Sequence, residues 1–385
     1  MNYSNKQISD FLKQLVNIPS VNPSYAPKNA NYVNEKQLAH FLKAWFEAKQ
    51  LKPTLQKVSR NRPNIEVEIG KGHPHLMLCT HLDTVGIETM TISPFKATVK
   101  KGNLYGRGAL DAKGMIAFMT FAFLNVIKFL PPNSGTLSIV FVADEEDEQT
   151  GVRTYLEKNK LPDAAIIGES TDLQVGLTQC GGMKFKLSFH GKSSHACKPG
   201  AGADANLAMA IVRCNLDKFI RSKRHPKIGY RTMNFGVIQG GKHASVISDY
   251  CEVDIDYRLL PGEQGKNVLR EFDQYLKGQK LPDGVSYQRH PPYLGPLIGF
   301  ETPAKETIVR AFKHEGFKGK NVGLPFGSDA NYFHLAGVPT VIFGPGDMIA
   351  AHTQDEHLSL NSLFEGVAIL GQTIENYFTL MQRVK

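Results

Sequence analysis

Apolar residues near the start of the chain recur with the period of an amphipathic helix. Residues 5–16 and 36–48 each place five apolar side chains on one helical face, which predicts two helices packed against a core. Short apolar runs typical of buried strands follow, and a longer apolar run at 111–129 predicts a buried helix. The predicted strands lie at 65–69, 76–80, 137–143 and 164–168. Strands of this kind, covered by helices, predict an α/β fold.

The pattern of hydrophobic and polar residues changes after about residue 180. Strand-like segments and helical segments then follow one another in the order β-α-β-β-α-β, which is typical of a small ferredoxin-like α+β domain. The strands are predicted at 185–189, 232–238, 251–257 and 285–289, and the helices at 204–221 and 268–276. After Pro292 the chain returns to a helix at 304–314 and a buried strand at 339–343. We therefore predict a domain at 180–291 inserted into a larger α/β domain formed by 1–179 and 292–385.

Composition narrows the class of protein. Hydrophobic residues make up 42% and charged residues 21% of the 385 residues, which excludes a disordered, collagen-like or coiled-coil chain. The five cysteines are widely spaced and form no CxxC pair, so we expect neither a disulfide framework nor a thiolate zinc site. The N-terminal residues show no signal-peptide pattern, and the longest apolar run is interrupted by polar residues. We therefore expect a cytosolic protein that does not cross a membrane.

The formal net charge of +9 is concentrated in one segment of the chain. Residues 184–231 contain eleven Lys and Arg, opposed only by Asp204 and Asp217, and the rest of the chain is neutral overall. These basic residues are not interleaved with aromatic residues, so we expect no nucleic-acid partner. We expect instead that the charge of the inserted domain attracts substrates that carry carboxylates.

Histidines and acids follow several of the predicted strands. His81 and Asp83 stand two residues apart after the strand at 76–80, and this spacing places them on one face. A carboxylate that orients a histidine is common at metal sites, and a hydrogen-bonded strand end is the alternative. Asp111 stands at the start of the long apolar helix, where a helix N-cap would explain it without a function.

A run of five acids at residues 144–148 follows the strand at 137–143. These like charges repel one another unless solvent or cations disperse them, so they predict either a solvated loop or a metal site. Glu169 follows the strand at 164–168, and His352 follows the strand at 339–343. Together these residues offer two histidines and at least three carboxylates at one edge of a sheet. Such a set is suited to two divalent metal ions bridged by an Asp.

Seven motifs in this order, spread over nearly the whole chain, resemble the M20 family of dinuclear zinc amidohydrolases. They are HLDTV, GRGALDAKG, DEE, GES, GKSSHA, DIDYR and AHTQDEH. The resemblance implies a zinc-peptidase-like mixed-sheet catalytic domain with an inserted lid and dimerisation domain. It also implies two zinc ions, for which cobalt can substitute, and a homodimer formed through the lid.

The same resemblance implies hydrolysis of the amide bond of a small N-acyl amino acid, with N-acetylornithine as the expected substrate. Succinyl-diaminopimelate, other N-acyl amino acids and the substrates of dipeptidases or carboxypeptidases are the alternatives. Family members that require a free N-terminus often have Asp at the position of Glu169, so this Glu favours deacylation. A metal-free binding protein is the alternative from a different class, and the complete ligand set argues against it.

The motif residues imply a specific set of metal ligands. His81 would bind one zinc ion, Asp111 would bridge both ions, and Glu169 would complete the site of His81. Glu146 and His352 would bind the other ion. A frame shifted by one residue along the acidic run is the alternative, since residues 144–148 are all acidic.

Three further residues would act in the reaction or orient a ligand. Asp83 would orient His81, and Glu145 would be the general base. His195, in the GKSSHA motif of the lid, would reach the active site of the partner subunit and hold the oxyanion there. A loop histidine without a function is the alternative for His195.

Two residues would contact the substrate. Arg258, in DIDYR, resembles an arginine that pairs with a substrate carboxylate, and Gly327 resembles part of a substrate-side loop, for which a simple turn is the alternative. The chain departs from the family pattern in the lid, where Ser245 stands in place of the usual Asn and Cys180 begins a segment that usually carries a basic-Gly pair. These departures bear on the acyl group and the amino acid that the enzyme accepts.

Overall fold

A computed structural model of the chain describes residues 3–27, 30–131 and 133–383. The first part of the chain contains α1 (Asn5–Val16), α2 (Lys36–Glu47), β1 (Thr54–Ser59), β2 (Arg62–Gly70), β3 (His75–His81), β4 (Thr98–Lys100), β5 (Asn103–Tyr105), α3 (Lys113–Val126), β6 (Thr136–Val142), α4 (Thr150–Lys158), β7 (Ala164–Ile167) and β8 (Val175–Gln179).

The middle part of the chain contains β9 (Gly182–His190), α5 (Ala205–Cys214), α6 (Leu216–Ile220), β10 (Arg224–His225), β11 (Gly229–Tyr230), β12 (Thr232–Gly240), β13 (Tyr250–Arg258), α7 (Gly265–Lys277), β14 (Ser286–Arg289), β15 (Leu294–Leu297) and β16 (Phe300–Glu301). The last part contains α8 (Thr307–Ala311), β17 (Asn321–Leu324), α9 (Ala330–Leu335), β18 (Thr340–Ile342), β19 (His357–Ser359) and α10 (Leu360–Gln382). In the described parts of the chain, no helix combines the length and the apolar composition that a membrane span requires.

The chain divides into two compact units. The first contains Met1–Leu177, Thr302–Val322 and Ser328–Lys385, and the second contains Thr178–Glu301 and Gly323–Gly327. The second unit therefore continues beyond the range 180–291 that the sequence predicts. The reason is strand pairing, since Leu294 in β15 pairs with Lys184 in β9, after the two prolines where the pattern suggested a boundary.

The first unit is built on a mixed sheet. Its strands follow the order β1-β2-β6-β3-β7-β18-β8, in which β3 pairs in parallel with β6 and β7, and β18 pairs in parallel with β7. The strands β1, β2 and β8 add antiparallel pairs. Both β3 and β6 are buried along their whole length, because helices pack against them. This arrangement confirms the predicted mixed-sheet α/β fold.

The long apolar segment forms α3, whose residues are almost all buried. A helix that is apolar on every side needs protein around it, and α3 packs against β3, β6, α1 and α10. The helix begins at Lys113 with Ala112 as its N-cap residue, so Asp111 lies outside the helix and does not cap it. The N-cap explanation for Asp111 is therefore wrong.

The second unit contains an antiparallel sheet in the order β12-β13-β9-β14, to which β15 adds a further pair with β9. The chain order β9-α5-β12-β13-α7-β14 is the β-α-β-β-α-β order of a ferredoxin-like domain. The alternate residues of β13 are buried as its sequence pattern predicts. The predicted helix at 204–221 is two helices, because the turn at Asn215 separates α5 from α6. The lid and dimerisation roles of this unit stay predictions.

Candidate metal centre

Four neighbouring strands of the first unit bring the predicted ligands to one edge of the sheet. His81 is the last residue of β3, the acidic run follows β6, Glu169 follows β7, and His352 follows β18 after a loop. These strands run in parallel, so their carboxyl ends lie at the same edge, where open α/β sheets bind their ligands.

Asp111 lies between the two histidines. Its Oδ1 is 2.9 Å from Nε2 of His81, and its Oδ2 is 3.2 Å from Nε2 of His352. His352 Nε2 is also 3.1 Å from Oε1 of Glu146. Each carboxylate oxygen of Asp111 therefore faces a different histidine, which is the arrangement that a carboxylate bridging two metal ions requires.

Two groups of side chains in the described residues have ligand atoms close enough to share an ion. The first is His81, Asp111 and Glu146, the second is His81, Glu145 and Glu169, and within each group the ligand atoms lie within 4.8 Å of one another. Imidazole nitrogens with carboxylate oxygens are a donor set that suits zinc and related divalent ions. The donor set and the bridging position of Asp111 therefore fit a dinuclear metal centre.

The acids of the cluster dominate the protonation of its histidines. Burial would lower the pKa of His81, but hydrogen bonds to Asp111 and Asp83 raise it well above its ordinary value. Burial is likewise outweighed at His352, where Asp111 and Glu146 raise the pKa to about 11. The acids therefore favour a positive charge at this place, and bound cations can supply that positive charge.

Two carboxyl groups of the cluster have raised pKa values because they are buried close to other acids. Burial raises the pKa of Glu145 well above its ordinary value, opposed by His81 and reinforced by Asp329 and Glu169. Burial also raises the pKa of Glu169, and the charge of Asp111 adds to the effect. Such crowding of buried acids is unfavourable without cations, which again fits a site for metal ions.

Asp83 contacts more than the histidine that it was predicted to orient. His81 Nδ1 donates to the backbone carbonyl of Asp83 at 3.0 Å, while Oδ1 of Asp83 lies 3.6 Å from the same nitrogen. The carboxylate accepts hydrogen bonds from the backbone N–H groups of Glu145 and Glu146, both at 3.1 Å. The carbonyl contact leaves Nε2 as the atom of His81 that could bind a metal ion, and the carboxylate holds the acidic loop.

Asp329 is a buried acid that stands two residues after Gly327 in the sequence. Among the described residues, neither of its carboxylate oxygens has a hydrogen-bond partner. Burial raises its pKa to about 8, opposed by His81 and reinforced by Asp83 and Asp144. Its position in the sequence, just before α9, does not predict that its charge interacts with the residues of this cluster.

Glu356, in the AHTQDEH motif, was not among the residues predicted from the sequence. Its Oε1 accepts hydrogen bonds from the backbone N–H groups of Leu110 and Asp111, both at 3.0 Å, and Arg107 donates to its Oε2 at 2.6 Å. The ion pair is completely buried. Glu356 thereby fixes the backbone that presents Asp111, and only the folded chain brings residues so distant in sequence together.

The other predicted site residues belong to the second unit. His195 is exposed and its Nδ1 accepts a hydrogen bond from the backbone N–H of Cys197 at 3.2 Å. Its segment pairs with the segment of Ser245, whose carbonyl accepts from the N–H of Ala196. Arg258 forms an ion pair with Asp256 through Nε at 2.9 Å. The roles of these two residues, and of Gly327 in Gly323–Gly327, stay predictions.

The mixed sheet and the candidate ligands at its edge fit the class of metal-dependent hydrolases. Comparison with known proteins gives the family, since the model for peptidase family M20/M25/M40 matches residues 77–376. The acetylornithine deacetylase of Proteus mirabilis is 31% identical over 405 residues, which cover 100% of both chains. The chain therefore belongs to the M20/M25/M40 family, whose members hydrolyse amide bonds.

Solved structures share the fold at lower sequence identity. A tripeptidase from Staphylococcus aureus superimposes with a TM-score of 0.77 and 20% identity, covering 98% of this chain and 100% of that one. A Bacillus subtilis protein described as a dinuclear metal-binding peptidase of the M20 family gives a TM-score of 0.65 at 16% identity, covering 96% and 98%. At these identities the similarity establishes the fold.

Proposed function

We propose that this chain is a dinuclear zinc deacylase that hydrolyses the amide bond of N-acyl amino acids, with N-acetylornithine as the leading substrate. The observation that carries the proposal is the position of Asp111 between His81 and His352. In the proposed centre Asp111 would bridge the ions, Glu169 would join His81 at one of them, and Glu146 would join His352 at the other. Cobalt is expected to substitute for zinc.

Glu145 is the proposed general base. When bound, the two ions would polarise the amide carbonyl and make water more acidic. Glu145 would take a proton from the attacking water and deliver it to the leaving amine. One contact holds its carboxylate, since Gln149 Nε2 donates to its Oε1 at 3.2 Å, and another holds its backbone, since Asp83 accepts from its N–H. Asp83 thus supports the base as well as the ligand His81.

The second unit is proposed to supply substrate contacts and the dimer interface. His195 would hold the oxyanion in the partner's site, Arg258 would pair with the substrate carboxylate, and Gly327 would lie in a substrate-side loop. The dimer proposal is supported by β12, an edge strand on which Val237 and Ile238 are about half exposed, at 50% and 48%. Exposed apolar edge strands are common pairing surfaces between chains.

The small-molecule substrate is proposed from the full-length deacetylase relative and from Glu169. The solved peptidases establish only the fold, whereas the relative named for acetylornithine is 31% identical over the whole chain. No disulfide links the five cysteines within the described residues, and we propose a reducing cytosol as the place of action.

A hydrolysis panel tests the proposed reaction. The zinc-loaded protein would be given N-acetylornithine, succinyl-diaminopimelate, other N-acyl amino acids and dipeptides, with the amount of freed amine measured over time. We expect the highest kcat/KM for an acylated amino acid, and for N-acetylornithine among them. A preference for dipeptides or tripeptides over every acylated amino acid would contradict the proposal. The Glu145→Gln protein serves as the control for contaminating hydrolases.

A further inference from the structure

The loop that carries Glu145 and Glu146 is held by acids behind it. Three successive backbone N–H groups donate to buried carboxylates: that of Asp144 to Oε1 of Glu35 at 3.2 Å, and those of Glu145 and Glu146 to the two oxygens of Asp83 at 3.1 Å each. Glu35 and Asp83 are both completely buried. The direction of this short backbone segment is therefore set by carboxylates from two distant parts of the chain.

Arg62 and Asn22 join these carboxylates into one network. Arg62 Nε lies 3.0 Å from both oxygens of Glu35, and its Nη1 lies 2.8 Å from Oδ1 of Asp144. Asn22 Nδ2 donates to Oδ2 of Asp83 at 2.7 Å and to Oδ1 of Asp144 at 3.1 Å. The first acid of the acidic run therefore faces the network, while the next two acids lie in the metal centre.

The network is expected to contribute little to the free energy of unfolding. It buries three carboxylates against one guanidinium, and buried charges of this kind commonly stabilise a fold less than apolar residues of similar size. Burial and the charge of Asp83 raise the pKa of Glu35 to about 7, although Arg62 opposes the shift. Asp144 also has a φ of 69°, in the left-handed region that non-glycine residues seldom occupy. The raised pKa of Glu35 and the left-handed backbone of Asp144 both indicate that this arrangement fixes the conformation of the loop rather than stabilising the fold.

We propose that Arg62, with Glu35 and Asn22, forms a positioning network that sets the direction of the Glu145–Glu146 backbone and thereby the metal ligand Glu146. This inference rests on the proposed dinuclear function, since it assigns Glu146 to a metal ion. Arg62, Glu35 and Asn22 belong to neither of the two groups of candidate ligands. They act through the loop, by fixing the two carboxylates of that loop relative to His352.

Arg62→Lys tests this proposal because it keeps the positive charge but removes the forked contact with Glu35 and Asp144. Zinc affinity would be measured by chelator competition, and the cobalt-loaded protein by visible absorption. We expect one of the two ions to bind about 10-fold to 100-fold more weakly, with a changed cobalt spectrum, as is usual when a partner behind a ligand is altered. The value of kcat should fall while KM changes little.

The matched control is Arg231→Lys in the second unit. Arg231 is completely buried, whereas 14% of the Arg62 side chain is exposed, and Arg231 likewise pairs with a buried acid, Glu263, at 2.8 Å. This variant should lose thermal stability without changing the affinity for either zinc ion or the cobalt spectrum. A folded Arg62→Lys protein with wild-type affinity for both ions and an unchanged spectrum would overturn the proposal.

If Arg62→Lys does not fold, the variants Glu35→Gln and Asn22→Ala test the same proposal. Glu35→Gln retains an acceptor for the N–H of Asp144, whereas Asn22→Ala removes a hydrogen bond to the carboxylate of Asp83. The loss of zinc affinity should therefore be smaller in Glu35→Gln than in Asn22→Ala. Wild-type affinity in both variants would overturn the proposal. A wild-type protein that binds two ions but hydrolyses no N-acyl amino acid would refute the proposed substrate and leave this test intact.

Discussion

His352 Nε2 lies 3.1 Å from Oε1 of Glu146, although 206 residues separate them in the chain. The contact bears on the alignment of the acidic run, in which five neighbouring acids allow more than one assignment. Glu146 meets the second histidine, while Glu145 lies in the group with His81 and Glu169. The contact with His352 favours Glu146 as a ligand, whereas Glu145 also lies among candidate ligand atoms, so its role as the base stays a proposal.

The first prediction separates these two acids. Glu145→Gln should keep two zinc ions per chain but lower kcat by roughly 100-fold to 10,000-fold, the usual contribution of a general base. Glu146→Gln should lose one ion, because an amide is a weaker ligand than a carboxylate. Elemental analysis after gel filtration gives the metal content, and steady-state hydrolysis gives kcat. If Glu145→Gln loses the ion and Glu146→Gln keeps it, the assignment is off by one residue.

A second prediction concerns His195 and the proposed dimer. His195→Ala and Glu145→Gln subunits should each be nearly inactive, and mixing them should restore part of the activity if the histidine works in the partner's site. A mixed dimer would contain one site with both intact groups. Tagged subunits purified as verified mixed dimers provide the measurement. Absence of any recovery in such dimers would count against action between subunits.

The third prediction concerns the charge of the second unit. The basic segment 184–231 looks isolated in sequence, but two of its lysines form ion pairs with acids from elsewhere in the unit: Lys186 with Glu252, and Lys227 with Glu301, both at 2.7 Å. The unit as a whole, residues 178–301 and 323–327, contains 18 Lys and Arg against 11 Asp and Glu. The expected attraction for substrates is therefore weaker than the segment alone suggests.

Ionic strength tests this attraction. The value of kcat/KM for a dianionic N-acyl amino acid should fall several-fold as salt rises from about 0.01 M to about 0.15 M, because the screening length falls from about 30 Å to about 8 Å. The carboxamide analogue, with less negative charge, is the matched control and should respond less. Equal responses of the two substrates would mean that the basic residues do not attract the substrate and are only solvated surface charges.

A fourth prediction concerns the pH dependence of stability at His75, at the opposite end of β3 from the candidate metal ligand His81. Burial lowers its pKa to about 4, reinforced by His73 and opposed by Asp163, and its Nε2 lies 2.8 Å from Oγ of Ser138. A histidine with a lowered pKa favours folding when it is neutral. Its contribution is therefore present above its unfolded pKa of about 6.5 and is lost as pH falls towards 4.

His75→Gln removes this titration. The difference in free energy of unfolding between wild type and variant should shrink by at most about 3 kcal/mol between pH 7 and pH 4, from about 1.4 kcal/mol for each unit of the pKa shift. Urea denaturation at several pH values gives the difference, and other titrating groups cancel because both proteins share them. A difference that stays constant over this range would show that His75 does not titrate with folding.

The sequence alone could predict the strands of the first unit and the residues that follow them. This was possible because buried parallel strands are continuous apolar runs, and their carboxyl ends must lie at one edge. Strand pairing then determined details that no local pattern contains. The boundary after residue 291 was placed too early, since β15 continues the pairing with β9.

The residues behind the candidate metal centre could not be predicted, because their contacts are made over long distances in the chain. Asn22 lies 61 residues from Asp83 and 122 residues from Asp144, and nothing in its local sequence indicates those contacts. Glu356 stands beside a recognisable motif, yet its hydrogen bond to the N–H of Asp111 spans 245 residues. Local patterns gave the candidate ligands, while the groups that hold them depend on the folded chain.

The most direct test of the central claim is hydrolysis before and after removal of metal. The purified protein would be dialysed exhaustively against a chelator, assayed with N-acetylornithine, and assayed again after titration with zinc or cobalt. We predict that activity disappears with the chelator and returns to its full value as two ions bind per chain. Hydrolysis that survives in protein shown by elemental analysis to be free of metal would contradict the account.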